Sequence, residues 1–215
     1  MSGDPAVREG EQVVRTIAQT ALDNEKYFCD LDAVVGDGDF GYSLARGFGK
    51  LIDDWDGLEY DDVGGLLKKT AMVLTSRVGG ASGPIWGTAF LRAGVALAGN
   101  ASPSGPDVIA ALRASIEGIK QRGGSDVGDK TLLDALVPAV DALEQALLAG
   151  EPAGQALQTA ALVAREAADA TKPMLAQRGR AAYAGERSRD SVDAGAVAIA
   201  VMFENVSQAW SPTSV

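Results

Sequence analysis

The sequence predicts an all-α fold, an eight-helix antiparallel bundle or barrel that occupies residues 1–215 as a single domain. Three observations carry that expectation. Apolar residues recur at helical spacing in eight segments, no segment alternates as a half-buried strand does, and the connections are short. No internal repeat is evident.

The first segment, Val7 to Tyr27, places Val13, Val14, Ile17, Ala18, Ala21 and Leu22 on one face with polar residues opposite. It leads into LDAVVGDGDFGYSLARGF, from Leu31 to Phe48. The second helix, Phe40 to Trp55, carries Leu44, Phe48, Leu51 and Ile52 and ends in the acidic DDWDG. The third starts near Asp61 and stops at Gly79-Gly80, with Lys68-Lys69 on its wet face. GGASGP follows, which holds more glycine than a plain helix connection needs. Backbone N–H groups at such a helix start suit an anion; a close helix crossing is the alternative. Pro84 opens the fourth helix, which runs through Ile85 to Ala98.

After the loop NASPSGPD, the fifth helix, Pro106 to Arg122, carries Val108, Ile109, Leu112, Ile116 and Ile119. The run RGGSDVGDKT resembles a phosphate-binding P-loop at first. Asp129 stands where a lysine should follow Gly128, however, and no strand precedes it, so that reading is rejected. The sixth helix spans Thr131 to Leu148, and the alanine-rich seventh runs from Glu151 to about Leu175. QRGRAAYAGER then gathers Arg178, Arg180 and Arg187 without helical periodicity, as phosphate forks or as surface ion pairs in an acidic protein. The last helix opens at Asp193 and carries Val197, Ile199, Val201, Met202 and Phe203.

Short loops make consecutive helices antiparallel, so alternate loops share one end of the bundle. The acidic turn, Gly79 to Pro84, Gly123 to Lys130 and Arg178 to Asp193 are therefore expected to meet at one mouth.

Nineteen basic residues against twenty-nine acidic ones give a net charge of −10, which repels phosphodiester backbones and anionic lipid. Nucleic acid and membrane are excluded as expected partners. The single Cys29 forms no intramolecular disulfide, and MSGDPAVREGEQ has no apolar signal region, so a cytoplasmic location is expected. The chain contains no histidine, which excludes a Ser-His-Asp or Cys-His arrangement and the usual zinc ligand. Any catalysis must use carboxylates, Mg²⁺, or groups on another protein.

Asp32, Asp37 and Asp39 crowd one turn, with no positive charge between Lys26 and Arg46. Mutual repulsion of three carboxylates is offset most simply by a divalent cation. Mg²⁺ suits the site because it takes a few carboxylates and fills its remaining positions with water and phosphate oxygens. An EF-hand beginning at Asp37 fails, because Tyr42 and Phe48 stand where Gly and Glu are required. An aspartyl-phosphate phosphotransferase would place its D-x-D after a strand, and here helix follows helix. The plainer alternative is that Asp37 and Asp39 only cap the helix that follows.

Five ordered motifs, GDGDFG at Gly36, GGASGP at Gly79, GDKTLLD at Gly128, GRAAYAGER at Gly179 and DAGA at Asp193, make the chain similar to the L-type, nucleotide-binding subunit of dihydroxyacetone kinases. That resemblance implies an eight-helix barrel with a Mg²⁺-nucleotide, ATP or ADP, at one end. It implies Asp32, Asp37 and Asp39 as ligands of a two-ion Mg²⁺ cluster. It implies a nucleotide lined by Phe40, Gly41, Tyr42, Ser43, Ala81, Ser82, Gly123, Leu132, Arg180, Asp193, Ala194 and Gly195. Phe40 departs from the family's usual histidine, Ala182 from serine and Ala194 from proline. The family's substrate, a small ketose, is held on a separate K-type subunit by that subunit's histidine. L subunits either exchange ATP at each turnover or keep ADP bound for rephosphorylation by a phosphotransferase-system phosphoprotein. Phe40 favours an ATP-using relative, with Lys130 and Arg180 offsetting charge on the transferring group. Two further readings are a nucleotide-dependent regulatory binding protein and a fatty-acyl kinase relative, the latter disfavoured by a chain that ends at Val215.

Overall fold

The computed structural model describes residues 4–210. Among them are nine α-helices and no strand: α1 Pro5–Asp23, α2 Glu25–Asp32, α3 Phe40–Asp53, α4 Val63–Arg77, α5 Ser82–Ala96, α6 Gly105–Gly123, α7 Leu133–Leu148, α8 Ala153–Ala170 and α9 Ala194–Ala209. All eight expected helices are present, and the first is continued past a break by α2. The break is local chemistry. The Asn24 side chain donates to the Thr20 carbonyl (2.9 Å), and its own backbone N–H closes the last turn of α1. The seventh helix ends at Ala170 rather than near Leu175, because Pro173 disfavours helical backbone at the residue before it.

Helix neighbours form a closed ring, α1–α3–α4–α5–α6–α7–α8–α9 and back to α1, with α2 laid against α3. The interior is filled by Phe28, Leu44, Phe48, Leu66, Leu74, Leu133, Val140 and Val197, all buried. Phe48 meets Trp86 and Phe90 edge-on at 6.1 and 6.2 Å. Helix α9 is buried from Ala196 to Met202, as an all-apolar helix must be. Buried alanines at 156, 160, 164 and 168 keep α8 thin enough to lie against both α7 and α9. No helix among the described residues is long and apolar enough to cross a membrane.

One close approach sets the position of the acidic turn. Gly41, in the first turn of α3, sits on α2 so tightly that a Cβ would overlap the Glu25 carbonyl and lie 2.8 Å from the Cys29 nitrogen. Only glycine lets α3 begin there, directly against the helix that ends in Asp32.

Candidate functional site

A cleft of about 280 Å³ opens at one end of the ring, and each of the four expected loops lines it. The α2–α3 side contributes Asp32 and Phe40, the α4–α5 loop Ala81 and Ser82, the α6–α7 side Gly123 and Leu132, and the α8–α9 segment Arg180 and Asp193 to Gly195. The antiparallel argument therefore gathers these residues correctly. Gly41, Tyr42 and Ser43, also expected at the nucleotide, are not among the residues that line this cleft. A helix turns about 100° per residue, so Phe40 faces the cleft while Gly41 faces α2 and Tyr42 is exposed; Ser43, one turn on from Phe40, is buried beside Gly79 of the α4–α5 loop.

The carboxylates of Asp32, Asp37 and Asp39 each offer an oxygen within 4.8 Å of the others, the one acidic group of this kind among the described residues. Asp32 is half-buried and held by the Gly38 N–H (2.9 Å), while Asp37 and Asp39 are exposed. Asp39 is the residue before α3, yet its side chain makes no capping hydrogen bond. The capping explanation therefore fails for it, and its carboxylate is available to a ligand. Oxygens around Mg²⁺ at ~2.1 Å lie ~3–4 Å apart, so a small closure of this triad fits the ion. The cation paired with Asp37 and Asp39 comes from far along the chain: Arg180, expected at the nucleotide, lies 3.4 Å from the Asp39 carboxylate.

Lys130 corrects an expectation. It is 3% exposed, and its ammonium donates to the main-chain carbonyls of Lys172 (3.4 Å), Met174 (3.0 Å) and Ser188. All three of its protons are thereby used, so it is not presented to a transferring phosphate. Burial holds its pKa below the ordinary lysine value, with Asp193 opposing that shift. Of the three arginines, Arg178 pairs with Asp129 at 3.2 Å, as the ion-pair reading anticipated.

Asp193 caps α9, accepting from the Ala196 N–H at 2.7 Å. Burial pushes its carboxyl up to about 7, assisted by the charge of Asp134 and resisted by the cap hydrogen bond and Lys130. The sequence reading missed the apolar wall, Leu31, Val35, Ile85, Trp86, Ile119 and Val192. Periodicity marks such residues as buried but does not separate a cleft wall from core.

An all-helical ring with a carboxylate triad and an arginine across one open end defines an all-α class of domain with an acidic mouth. A family model described as the DAK2 domain matches residues 34–208, and the chain belongs to that family. It is 38% identical over 179 residues to the Escherichia coli "PEP-dependent dihydroxyacetone kinase, ADP-binding subunit DhaL", covering 83% of this chain and 85% of that one. It is 37% identical over 186 residues to the ADP-binding subunit DhaL of a Listeria innocua PEP-dependent dihydroxyacetone kinase, covering 86% and 88%. Among solved structures, the dihydroxyacetone kinase from C. freundii in complex with AMP-PNP and Mg²⁺ superposes with a TM-score of 0.72 at 28% identity. That match covers 91% of this chain but 33% of the longer one.

Proposed function

We propose that this chain is the nucleotide-carrying phosphotransfer subunit of a dihydroxyacetone-type kinase. It keeps ADP in the cleft, receives a phosphoryl group from a phosphotransferase-system phosphoprotein, and passes it to a small hydroxy-ketone on a separate K-type subunit. The observation that carries the reading is the carboxylate triad with Arg180 across it at the mouth of an apolar-walled cleft. The relatives matched over most of both lengths are named as ADP-binding subunits, and this supports the resident-ADP mode over the ATP-exchanging mode suggested by Phe40.

Asp32, Asp37 and Asp39 would hold Mg²⁺, which when bound neutralises charge on phosphate oxygens. Leu31, Ile85, Trp86 and Ile119 exclude water from the inner cleft, and Phe40 packs on Phe28 (6.2 Å between ring centroids) to complete that wall. The fork of Arg180 matches phosphate geometry and stands beside the triad, where a transferring phosphoryl group gains most from a fixed positive charge. The reaction thus relies on positioning and charge, which suits a chain without histidine.

Purified chain would be supplied with a phosphorylated phosphotransferase-system donor, a K-type subunit and dihydroxyacetone, with no added ATP. Product is expected to form over many turnovers. Product that appears only with stoichiometric ATP would overturn the donor assignment, and product from neither would overturn the kinase reading.

A further inference from the structure

Between α8 and α9 the chain makes a strap over the cleft, from Lys172 to Asp193, with Arg180 near its tip. The strap has little apolar anchorage. Tyr183 is 92% exposed, and Gly179 and Gly185, at φ 66° and 56°, break it on either side of the Arg180 turn in backbone that other residues avoid. Its base, by contrast, is tied tightly. Lys130 bonds Lys172 and Met174 where the strap begins and Ser188 where it ends. Ser188 is fully buried and its hydroxyl accepts from the Ala176 N–H at 3.0 Å, while Asp193 N–H donates to the Thr171 hydroxyl at 2.8 Å.

Backbone strain marks the same point. Among the described residues, the non-glycine residues at positive φ are Lys130 (60°) and Asp190 (65°). Both donate to one carbonyl, that of Lys172: Lys130 through its ammonium and Asp190 through its N–H at 3.0 Å. Left-handed backbone at two ordinary residues costs about 1–2 kcal/mol each, and persists only where surrounding bonds over-determine it.

We infer that Lys130 is a positioning residue: its buried ammonium draws the two ends of the strap together and so fixes Arg180 over the carboxylate triad. An ammonium suits this role because its three protons satisfy carbonyls from both limbs of the strap, and no neutral side chain offers three donors at that reach. Removing it takes the donor from the Met174 carbonyl, leaves Lys172 to the Asp190 N–H and Ser188 to the Ser191 hydroxyl, and so loosens the tie between the limbs and lets the strap swing on its glycines. The inference rests on the phosphotransfer reading only for its second arm below.

The first arm needs no ligand. Amide exchange of nucleotide-free protein would be compared in wild type, Lys130→Met and Ser188→Ala, the last loosening the same base without touching a charge. Exchange within residues 176–190 is expected to quicken by about tenfold or more in Lys130→Met and several-fold in Ser188→Ala, with α4 to α7 unchanged. The second arm measures phosphoryl transfer to a K-type subunit. Lys130→Met is expected to lower kcat by about 10–100-fold without raising the KM for that subunit, and Lys130→Met with Arg180→Ala is expected to be no slower than Arg180→Ala alone. Ser188→Ala, which keeps the fold where Lys130→Met fails to, is expected to be non-additive with Arg180→Ala in the same way. Strap exchange at the wild-type rate in folded variants, acceleration spread over the whole barrel, or additive losses would overturn the inference. Absence of transfer by wild type would instead overturn the proposed function and leave the exchange arm to judge Lys130.

Discussion

The acidic turn and the lysine knot face each other across one cleft and handle charge in opposite ways. Asp37 and Asp39 stand exposed beside Asp32 with one half-exposed arginine against three carboxylates. Lys130 buries one cation among three carbonyls, with every donor used. Under-compensated charge at a surface is a site for a ligand, whereas fully compensated buried charge is architecture. The difference teaches that residue type alone does not assign a role, since a lysine in GDKT reads as a phosphate ligand until its partners are known.

The comparison breaks most decisively at Asp37. Asp37→Asn removes a carboxylate from the under-compensated side and is expected to slow phosphoryl transfer by about 10²–10⁴-fold, with the helical circular dichroism unchanged. Full activity in that variant would show that the triad is not a metal site.

Gly41→Ala attacks the same turn through packing. A methyl group there meets the Glu25 carbonyl and Cys29 nitrogen, main-chain atoms that cannot move aside. A loss of about 2–4 kcal/mol is expected by denaturant unfolding, together with weaker Mg²⁺ binding as α3 shifts from α2. Wild-type stability would show that α3 is free to slide.

On the knot side, Asp193 is the sensitive group. Its folded pKa of about 7 lies above the ordinary 3.8, so the folded state holds its proton more tightly than the unfolded chain. The stability from this group is fully present below pH ~4 and is lost as pH rises through ~7. Asp193→Asn keeps a capping oxygen without the charge. Relative to wild type it is expected to gain about 1–3 kcal/mol between pH 5 and pH 8, seen as a divergence of the two denaturation midpoints. Parallel midpoints across that range would show that the carboxyl is not desolvated.

The smallest expected effect separates the two regions cleanly. Mg²⁺ at about ten times its Kd is expected to stabilise the folded chain by about 1.4 kcal/mol, a rise of a few degrees in Tm. The rise is expected to vanish in Asp37→Asn and to survive in Lys130→Met, and loss in both would merge the two regions into one.

Much of this architecture is legible in the sequence, and for a physical reason. Helical periodicity is local, so eight helices and the shared end of their alternate loops follow from spacing alone, and the cleft is where those loops meet. What is not legible depends on distant partners. Arg180 reaches Asp39 across 141 residues, and Lys130 reaches Ser188 across 58, so no window of sequence displays either bond. The Asn24 break is hidden because the residues around it keep helical character, and the turning of Gly41 onto α2 and of Tyr42 to the surface follows from helix rotation, which motif matching does not contain.

The central claim is that the cleft keeps its nucleotide. The most direct test is to purify the chain without added nucleotide, denature it, identify what is released by mass spectrometry, and time exchange of the native protein against labelled ATP with Mg²⁺. The account predicts about one ADP per chain, exchanging far more slowly than the kinase turns over. Rapid exchange with ATP would contradict it and restore the ATP-using mode, and no Mg²⁺-dependent nucleotide binding would remove the site itself.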